Sequence, residues 1–230
     1  PLAAAENIVT CGNVRVTVLT DCLLRIEYSD TGVFEDRASQ TVFYRDFAPC
    51  TYQTVRNDTW LTVETTALQL CCRTDVPFSA DTLAVALKNE PACYWHYGDE
   101  PETLKGTTKT LDGVNDGIPL EDGLCSRLGY ALLDDSKTML LGEDGWVMPR
   151  PAGTTDLYFF GYGYDYRRCI ADYDRLTGIP PMLPAYALGN WWSRYYAYTQ
   201  EEYEALMLRF EREDIPFSVA VVDMDWHTVD

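Results

Sequence analysis

The residues best equipped for chemistry stand in one short run, Asp223-Met224-Asp225-Trp226-His227, directly behind an apolar stretch at 217–222. Two carboxylates one residue apart can be read as an acid–base pair or as hydrogen-bond acceptors for a polar ligand. Side chains alternate along a strand, so Val219, Val221, Asp223 and Asp225 share one face, and Ala220, Val222, Met224 and Trp226 the other. Same-face neighbours are about 6.6–6.8 Å apart by rise alone and point the same way. Such a pair cannot flank a reacting centre from opposite sides, which favours binding. Burying both charges inside a sheet would be costly without partners. His227 stands alone and reads either as a hydrogen-bonded structural group or as a titrating one.

Two apolar runs and a helix must position these residues. The first run, 187–192, lies between Pro184 and the polar pair Ser193-Arg194 and suits a buried strand. Thr199-Gln200-Glu201-Glu202 is a capping box, in which the Thr199 hydroxyl serves the Glu202 amide and the Glu202 carboxylate serves the Thr199 amide. Behind it Tyr203, Leu206, Met207 and Phe210 form one apolar helical stripe. Pro216 predicts a helix end near Asp214. The unbroken run at 217–222 then predicts a parallel strand covered on both sides. Strand, helix and strand in this order read as the opening of a (β/α)-barrel, whose active sites lie at the carboxyl ends of the strands. That rule places Asp223 and Asp225 at a barrel mouth.

The motifs ALGNWWSRYY, DIPFSV and VVDMDWH, with the amphipathic helix between them, resemble glycoside hydrolase family 31, the α-glucosidase and α-xylosidase family. The likeness continues upstream through GIPLEDGLCSRLGYALLDDS, LLGEDGW and DLYFFGYGYDYRRCIADYDRLTGIPPMLP, so it covers 106–230 by motif and the first hundred residues by pattern. An ordered set of motifs is far more specific than any one of them.

The resemblance implies hydrolysis of terminal α-linked glucosyl residues of oligosaccharides with retention of configuration. That reaction needs two carboxyl groups about 5–5.5 Å apart on opposite sides of the sugar, which Asp223 and Asp225 do not provide. In the family the nucleophile and acid come from later barrel strands, and nothing here matches those segments. No catalytic residue is therefore assigned, and the 230 residues by themselves are expected to be inactive. What the resemblance assigns is sugar binding. Asp223 matches the aspartate that accepts from hydroxyls of the sugar being cleaved, a role for which a charge-assisted acceptor is well suited. Met224 and Tyr195 match neighbouring pocket-wall positions, and Asp225 and Trp226 are further substrate-binding candidates. The plain alternatives are that Asp223 caps a following helix, that Tyr195 is core, and that Trp191, Trp192 and Trp226 are core rather than stacked on sugar rings. An α-xylosidase, or a non-catalytic carbohydrate-binding β-sandwich protein, remains open beside the α-glucosidase reading. Glucose and xylose differ by one hydroxymethyl group.

Composition agrees with a folded enzyme. A hydrophobic share of 47% with 13% aromatics is ample for a core. The net charge of −18 argues against nucleic acid and anionic membrane surfaces as partners, and no apolar run approaches the roughly 20 residues of a membrane span. An oligosaccharide or α-glycoside is the expected partner. Eight cysteines without C-x-x-C spacing predict free thiols in a reducing, cytoplasmic setting. With two histidines and no ligand cluster, zinc is disfavoured, and no cofactor is expected. The start, PLAAAENIVT, carries neither an initiator Met nor a signal-peptide pattern, so an earlier segment is expected.

Upstream, strand patterning dominates. The alternations at 14–18 and 24–28 predict half-buried strands, and further strands are predicted at 41–47, 51–56, 60–65, 67–73, 83–87, 130–133, 138–141 and 157–160. Many short strands with polar turns suggest an antiparallel sandwich. The Gly- and Asp-rich stretch near 106–123 predicts a long acidic loop, either a solvated connector or a loop leaning over the barrel mouth. Tyr166, Cys169, Ile170 and Tyr173 predict a helix stopped by Gly178. The stiff Ile179-Pro180-Pro181-Met182-Leu183-Pro184 then predicts a boundary. The fold expected is a β-rich amino-terminal β-sandwich (1–179), followed by the first two strands and first helix of a truncated (β/α)8 TIM barrel (180–230). The apolar stripe of that barrel start predicts association into a homo-oligomer, or poor order, unless more of a barrel covers it.

Overall fold

The computed structural model describes residues 2–89, 91–106, 113–224 and 226–227. They form a mostly β protein with two α-helices, divided into two compact units, Pro1–Ile179 and Pro180–Asp230.

In the first unit the strands are β1 (Ile8–Cys11), β2 (Val14–Val18), β3 (Leu23–Ser29), β4 (Gln53–Arg56), β5 (Trp60–Glu64), β6 (Leu68–Arg73), β7 (Leu83–Leu87), β8 (Cys93–His96), β9 (Ala131–Asp134), β10 (Leu140–Leu141), β11 (Val147–Met148) and β12 (Thr154–Phe160). Two five-stranded antiparallel sheets result, in the orders β1-β2-β3-β12-β9 and β4-β5-β6-β7-β8. Their apolar faces share one core. Val16, Ile26 and Leu157 come from the first sheet and Leu61, Leu70 and Val85 from the second. Trp95 of β8 meets Phe159 of β12 with ring centroids 5.3 Å apart. Helix α1 (Tyr166–Thr177) starts at Asp165, whose side chain accepts from the Arg168 amide, and stops at Gly178 with φ 98°. Its packed stripe differs from the expected one. Ile170 is 47% exposed, and Leu176 is fully buried. The Leu176 carbonyl accepts from the amides of Phe43 and Tyr44.

Several expectations are corrected. No strand forms at 41–47. That segment is instead the end of a strap, 34–47, that crosses the outer face of β2, β3 and β12. Nor are β2 and β3 half-buried, since every residue in both is buried. The polar face that should meet water carries the row Arg15–Glu27–Asp156 and, one step along, Thr17–Arg25–Tyr158. Arg25 donates from Nε and Nη2 to the two Asp156 oxygens at 2.9 and 2.8 Å, and Arg15 from Nε to Glu27 at 2.6 Å. Arg150 pairs with Asp135 and, at 3.0 Å, with Asp156. The strap supplies the Glu35 carbonyl, 2.7 Å from Arg25 Nη2, and Arg45, whose Nε donates to the Tyr158 hydroxyl at 2.7 Å. Buried charges are tolerable because each is answered by another charge or a carbonyl. Strands β1, β8 and β11 were missed, being short or weakly alternating.

Of the acidic loop, 107–112 lie outside the described residues. The remainder forms no strand, and it is pinned at its base by Leu104 N–H to Cys125 C=O (2.8 Å) and by a Lys105–Asp122 ion pair (2.6 Å). All eight cysteines are free thiols. Burial pushes Cys22, Cys72 and Cys169 up to about 12, so these three remain protonated at neutral pH.

The second unit is one strand–helix–strand unit. Strand β13 (Trp191–Trp192) pairs in parallel with β14 (Val219–Ala220), and α2 (Gln200–Arg212) joins them. Both strands are shorter than the apolar runs suggest. Residues 185–188 coil into a 3-10 turn instead of a strand. The capping box forms as expected, with Thr199 Oγ1 accepting from the Glu202 amide at 3.2 Å and Glu202 Oε2 from the Thr199 amide at 3.0 Å. The helix ends at Arg212, with Asp214 in a left-handed turn at φ 54°. Its stripe of Tyr203, Leu206, Met207 and Phe210 is half-buried while the rest of the helix faces solvent. Phe210 packs edge-on against Trp192 (4.9 Å) and Phe217 (5.4 Å).

The second strand is thus covered on one side, not both. Val219 and Val221 are half-buried, whereas Ala220 and Val222 are exposed. The apolar surface this unit exposes therefore includes Met182, Leu183, Leu188, Trp191, Ile215 and Val222 rather than the helical stripe. Residues 179–186, all exposed, lead into it. Limited proteolysis of the 230-residue chain by proteinase K is expected to trim from the carboxyl end back to Pro180–Pro184, leaving the first unit intact. Cleavage first within the β1–β12 sheets, or protection through 227, would contradict this.

Candidate functional site

The site is built where the two parallel strands end. At the close of β13 the chain turns through Ser193–Tyr198 into the capped start of α2, and at the close of β14 it runs on through Val221 to Asp223. Between these two exits lies a cleft of about 400 Å³. Its walls are aromatic on the helix side, with Tyr196, Tyr198 and Tyr203, and carry Asp223, Met224 and Trp226 on the strand side. Gln200 and Glu204 line it from the first turns of the helix, with Gln200 Nε2 donating to Glu204 Oε1 at 2.9 Å.

The aromatic side is braced by ring contacts. Tyr196 and Tyr198 have centroids 4.6 Å apart, and Tyr198 meets Tyr203 edge-on at 5.4 Å. The Arg194 guanidinium sits over the Tyr196 ring at 4.6 Å and donates to the Tyr198 hydroxyl at 3.3 Å. The Tyr203 hydroxyl donates to the Val221 carbonyl at 2.9 Å. Burial, and then the neighbouring Tyr198, push the Tyr203 phenol up, so it stays protonated and remains a donor.

Of the residues singled out from sequence, Asp223, Met224 and Trp226 come together in this cleft. Asp223 is exposed rather than buried, although Val219 and Val221 on the same face of the strand are half-buried. Trp226 is 71% exposed and stacks edge-on with His227 at 4.8 Å. Tyr195 is 78% exposed and lies outside the cleft lining, so a core role is not what it plays in this unit. Asp225 lies outside the described residues. Trp191 is half-exposed, and its indole donates to the Ala187 carbonyl at 3.1 Å. Trp192 is part of the packing against α2.

Sequence reasoning missed Tyr196, Tyr198, Gln200 and Glu204, and it gave Tyr203 to packing alone. The available signal was their position. Residues just past the carboxyl end of a barrel strand face the mouth whatever their type. Chemically the cleft offers two carboxylates, an amide, phenol hydroxyls and aromatic faces, a set that can bind a flat polyhydroxylated ligand.

Residues 180–230, the segment that carries this cleft, match the glycosyl hydrolases family 31 TIM-barrel domain. The resemblance to glycoside hydrolase family 31 holds. Sequence relatives agree. An α-xylosidase of Saccharolobus solfataricus is 30% identical over 120 residues, 51% of this chain and 16% of the relative. Glucoamylase 1 of Candida albicans is 33% identical over 88 residues, 38% of this chain and 9% of its own length. The chain therefore spans a small part, 16% and 9%, of the length of these two relatives. Among solved structures, a mutant family 31 dextranase of Flavobacterium johnsoniae, complexed with isomaltotriose, superposes with a TM-score of 0.63 at 17% identity, over 96% of this chain and 32% of that one. A family 31 α-xylosidase from a soil metagenome, complexed with xylose, gives 0.63 at 15% identity, over 99% and 42%. At these identities the likeness is one of fold, and it runs through both units.

Proposed function

We propose that the chain is the amino-terminal part of a retaining α-glycosidase that hydrolyses terminal α-linked glucosyl residues of oligosaccharides. In this reading the first unit is a β-sandwich, 180–230 open the catalytic (β/α)8 barrel, and Asp223, with Met224 and Trp226, binds the sugar at the cleavage point. Asp225 and Tyr195 are assigned to the same sugar site. The observation that carries it is the cleft itself. It lies at the carboxyl ends of two parallel strands, within the segment that matches a glycosidase barrel, and is lined by a carboxylate and aromatic rings. The catalytic nucleophile and acid are assigned to segments outside these 230 residues, and the thiols to a cytoplasmic, reducing setting.

An α-xylosidase is the second reading, favoured by the S. solfataricus relative and the metagenomic structure. The two differ in whether the pocket accommodates a hydroxymethyl group, so relative kcat/KM on aryl α-glucoside and aryl α-xyloside decides between them.

The expected result is twofold. The full-length protein releases the α-anomer from one of these substrates, as seen by NMR at early times, while the purified 230-residue chain releases none. Release of the β-anomer, or no turnover of either substrate by the full-length protein, would overturn the reading. Robust turnover by the 230-residue chain would overturn the placement of the catalytic groups.

A further inference from the structure

Strand β14 ends at Ala220, yet the proposed sugar-binding carboxylate sits three residues later. Something other than the sheet must hold the intervening chain. The hydrogen bonds across the strand pair show what does. Asn190 C=O accepts from the Ser218 amide at 2.7 Å, and Trp192 C=O accepts from the Val221 amide at 2.9 Å. In a parallel ladder a residue whose N–H bonds one partner residue has its C=O met by the N–H two residues further along that partner. For Val221 that donor would be the Arg194 amide. The chain has left β13 by then, and the donor found at the Val221 carbonyl is the Tyr203 hydroxyl of α2, at 2.9 Å.

We infer that Tyr203 is a positioning residue for the sugar site: its hydroxyl stands in for the missing strand donor at Val221 and fixes the direction in which the chain delivers Asp223 into the cleft. This rests on the sugar-site reading of Asp223 given above. Tyr203 suits the task for three reasons. It lies on the half-buried stripe of a capped helix, so its backbone is rigid. Its ring is held edge-on by Tyr198. Its hydroxyl is a neutral donor, able to meet a carbonyl without placing a second charge beside Asp223. The same side chain couples the two cleft walls, since Tyr203 and Tyr198 form one and Asp223 stands on the other. A valine or leucine would satisfy the helical stripe equally well, so the hydroxyl is what the packing does not explain.

A double-mutant cycle on the full-length protein tests this, with kcat/KM on the better aryl α-glycoside as readout. Tyr203→Phe removes one oxygen and keeps the ring, so cooperative unfolding is retained. It is expected to lower kcat/KM by about two- to tenfold, the range of one neutral hydrogen bond. In an Asp223→Asn background the same change is expected to cost less than about twofold, because a residue that acts through Asp223 has little left to position. An equal factor in both backgrounds would show that Tyr203 acts independently, and would overturn the inference. So would a wild-type kcat/KM for Tyr203→Phe when Asp223→Asn is impaired, and in both cases the sugar-site reading survives. If Asp223→Asn itself leaves kcat/KM at the wild-type value, the sugar-site reading and the inference fall together. Should Tyr203→Phe lose cooperative unfolding, the hydroxyl serves the fold and the positioning role is overturned.

Discussion

If the proposed glycosidase function holds, Asp223→Ala is expected to lower kcat/KM of the full-length protein by at least about tenfold to a hundredfold. The carboxylate stands at the carboxyl end of a parallel strand, in a cleft with aromatic walls, and faces solvent there. A bound sugar would displace that solvent and replace it with hydroxyl donors. Each charge-assisted hydrogen bond contributes about 1.5–3 kcal/mol once water is excluded, which sets the expected factor. Asp223→Asn keeps the shape and one acceptor and is expected to lose less. Neither change should disturb the fold, since a side chain exposed beyond the end of β14 adds little to any core. Asp225→Ala is the comparison. If it cripples the enzyme while Asp223→Ala leaves kcat/KM near wild type, the wrong carboxylate has been chosen. If both variants lose cooperative unfolding, the pair is structural.

The second large effect is on stability and lies in the first unit. Asp156 is 2% exposed and is held by Arg25 through two hydrogen bonds and by Arg150 at 3.0 Å. Burial would raise its pKa, but the charges of Arg25, Arg150 and Arg45 and the Arg25 hydrogen bonds outweigh it and hold the carboxyl below its ordinary range. Asp156→Ala would leave two buried guanidinium groups short of a partner, a change that costs about 3–5 kcal/mol. Amide exchange in β3 and β12 is expected to accelerate by more than about a hundredfold. Exchange within about threefold of wild type would show that the network carries no such weight.

The sign of the pH dependence follows from the same group. A carboxyl whose folded pKa is depressed stabilises the fold above its unfolded pKa, and that contribution is lost as pH falls through the folded value. The loss attributable to Asp156 therefore sets in below about pH 4, and Asp156→Asn should flatten it. Glu27 and Asp135 contribute with the opposite sign, because burial dominates there and leaves both carboxyls above their ordinary range.

Much of the second unit was legible without coordinates. The capping box, the stripe beginning at Tyr203 and the stop before Pro216 are local features, each set by residues within a turn or two of one another. They fixed α2 to within two residues, and with it the strand–helix–strand order that puts Asp223 at a strand's carboxyl end. For α1 the stripe beginning at Tyr166 and the stop at Gly178 were legible in the same way, while the Asp165 cap was seen only in the structure. Where local pattern served as a proxy for burial it failed. The run at 217–222 reads as a strand buried on both sides, yet one face of β14 is open, because covering a face depends on what packs there and not on the strand's own residues. Alternating Arg15, Thr17, Arg25 and Glu27 read as a solvated face for the same reason. What buries them is the strap at 34–47 and an aspartate 131 residues from Arg25 in the chain. No periodicity records a pairing across that distance. The sequence determined the local elements and the order in which they present their chemistry. Only the tertiary structure decided which charges could be buried, because a buried charge is stable solely when a distant partner arrives to meet it, and it alone brought the Tyr203 hydroxyl to the Val221 carbonyl.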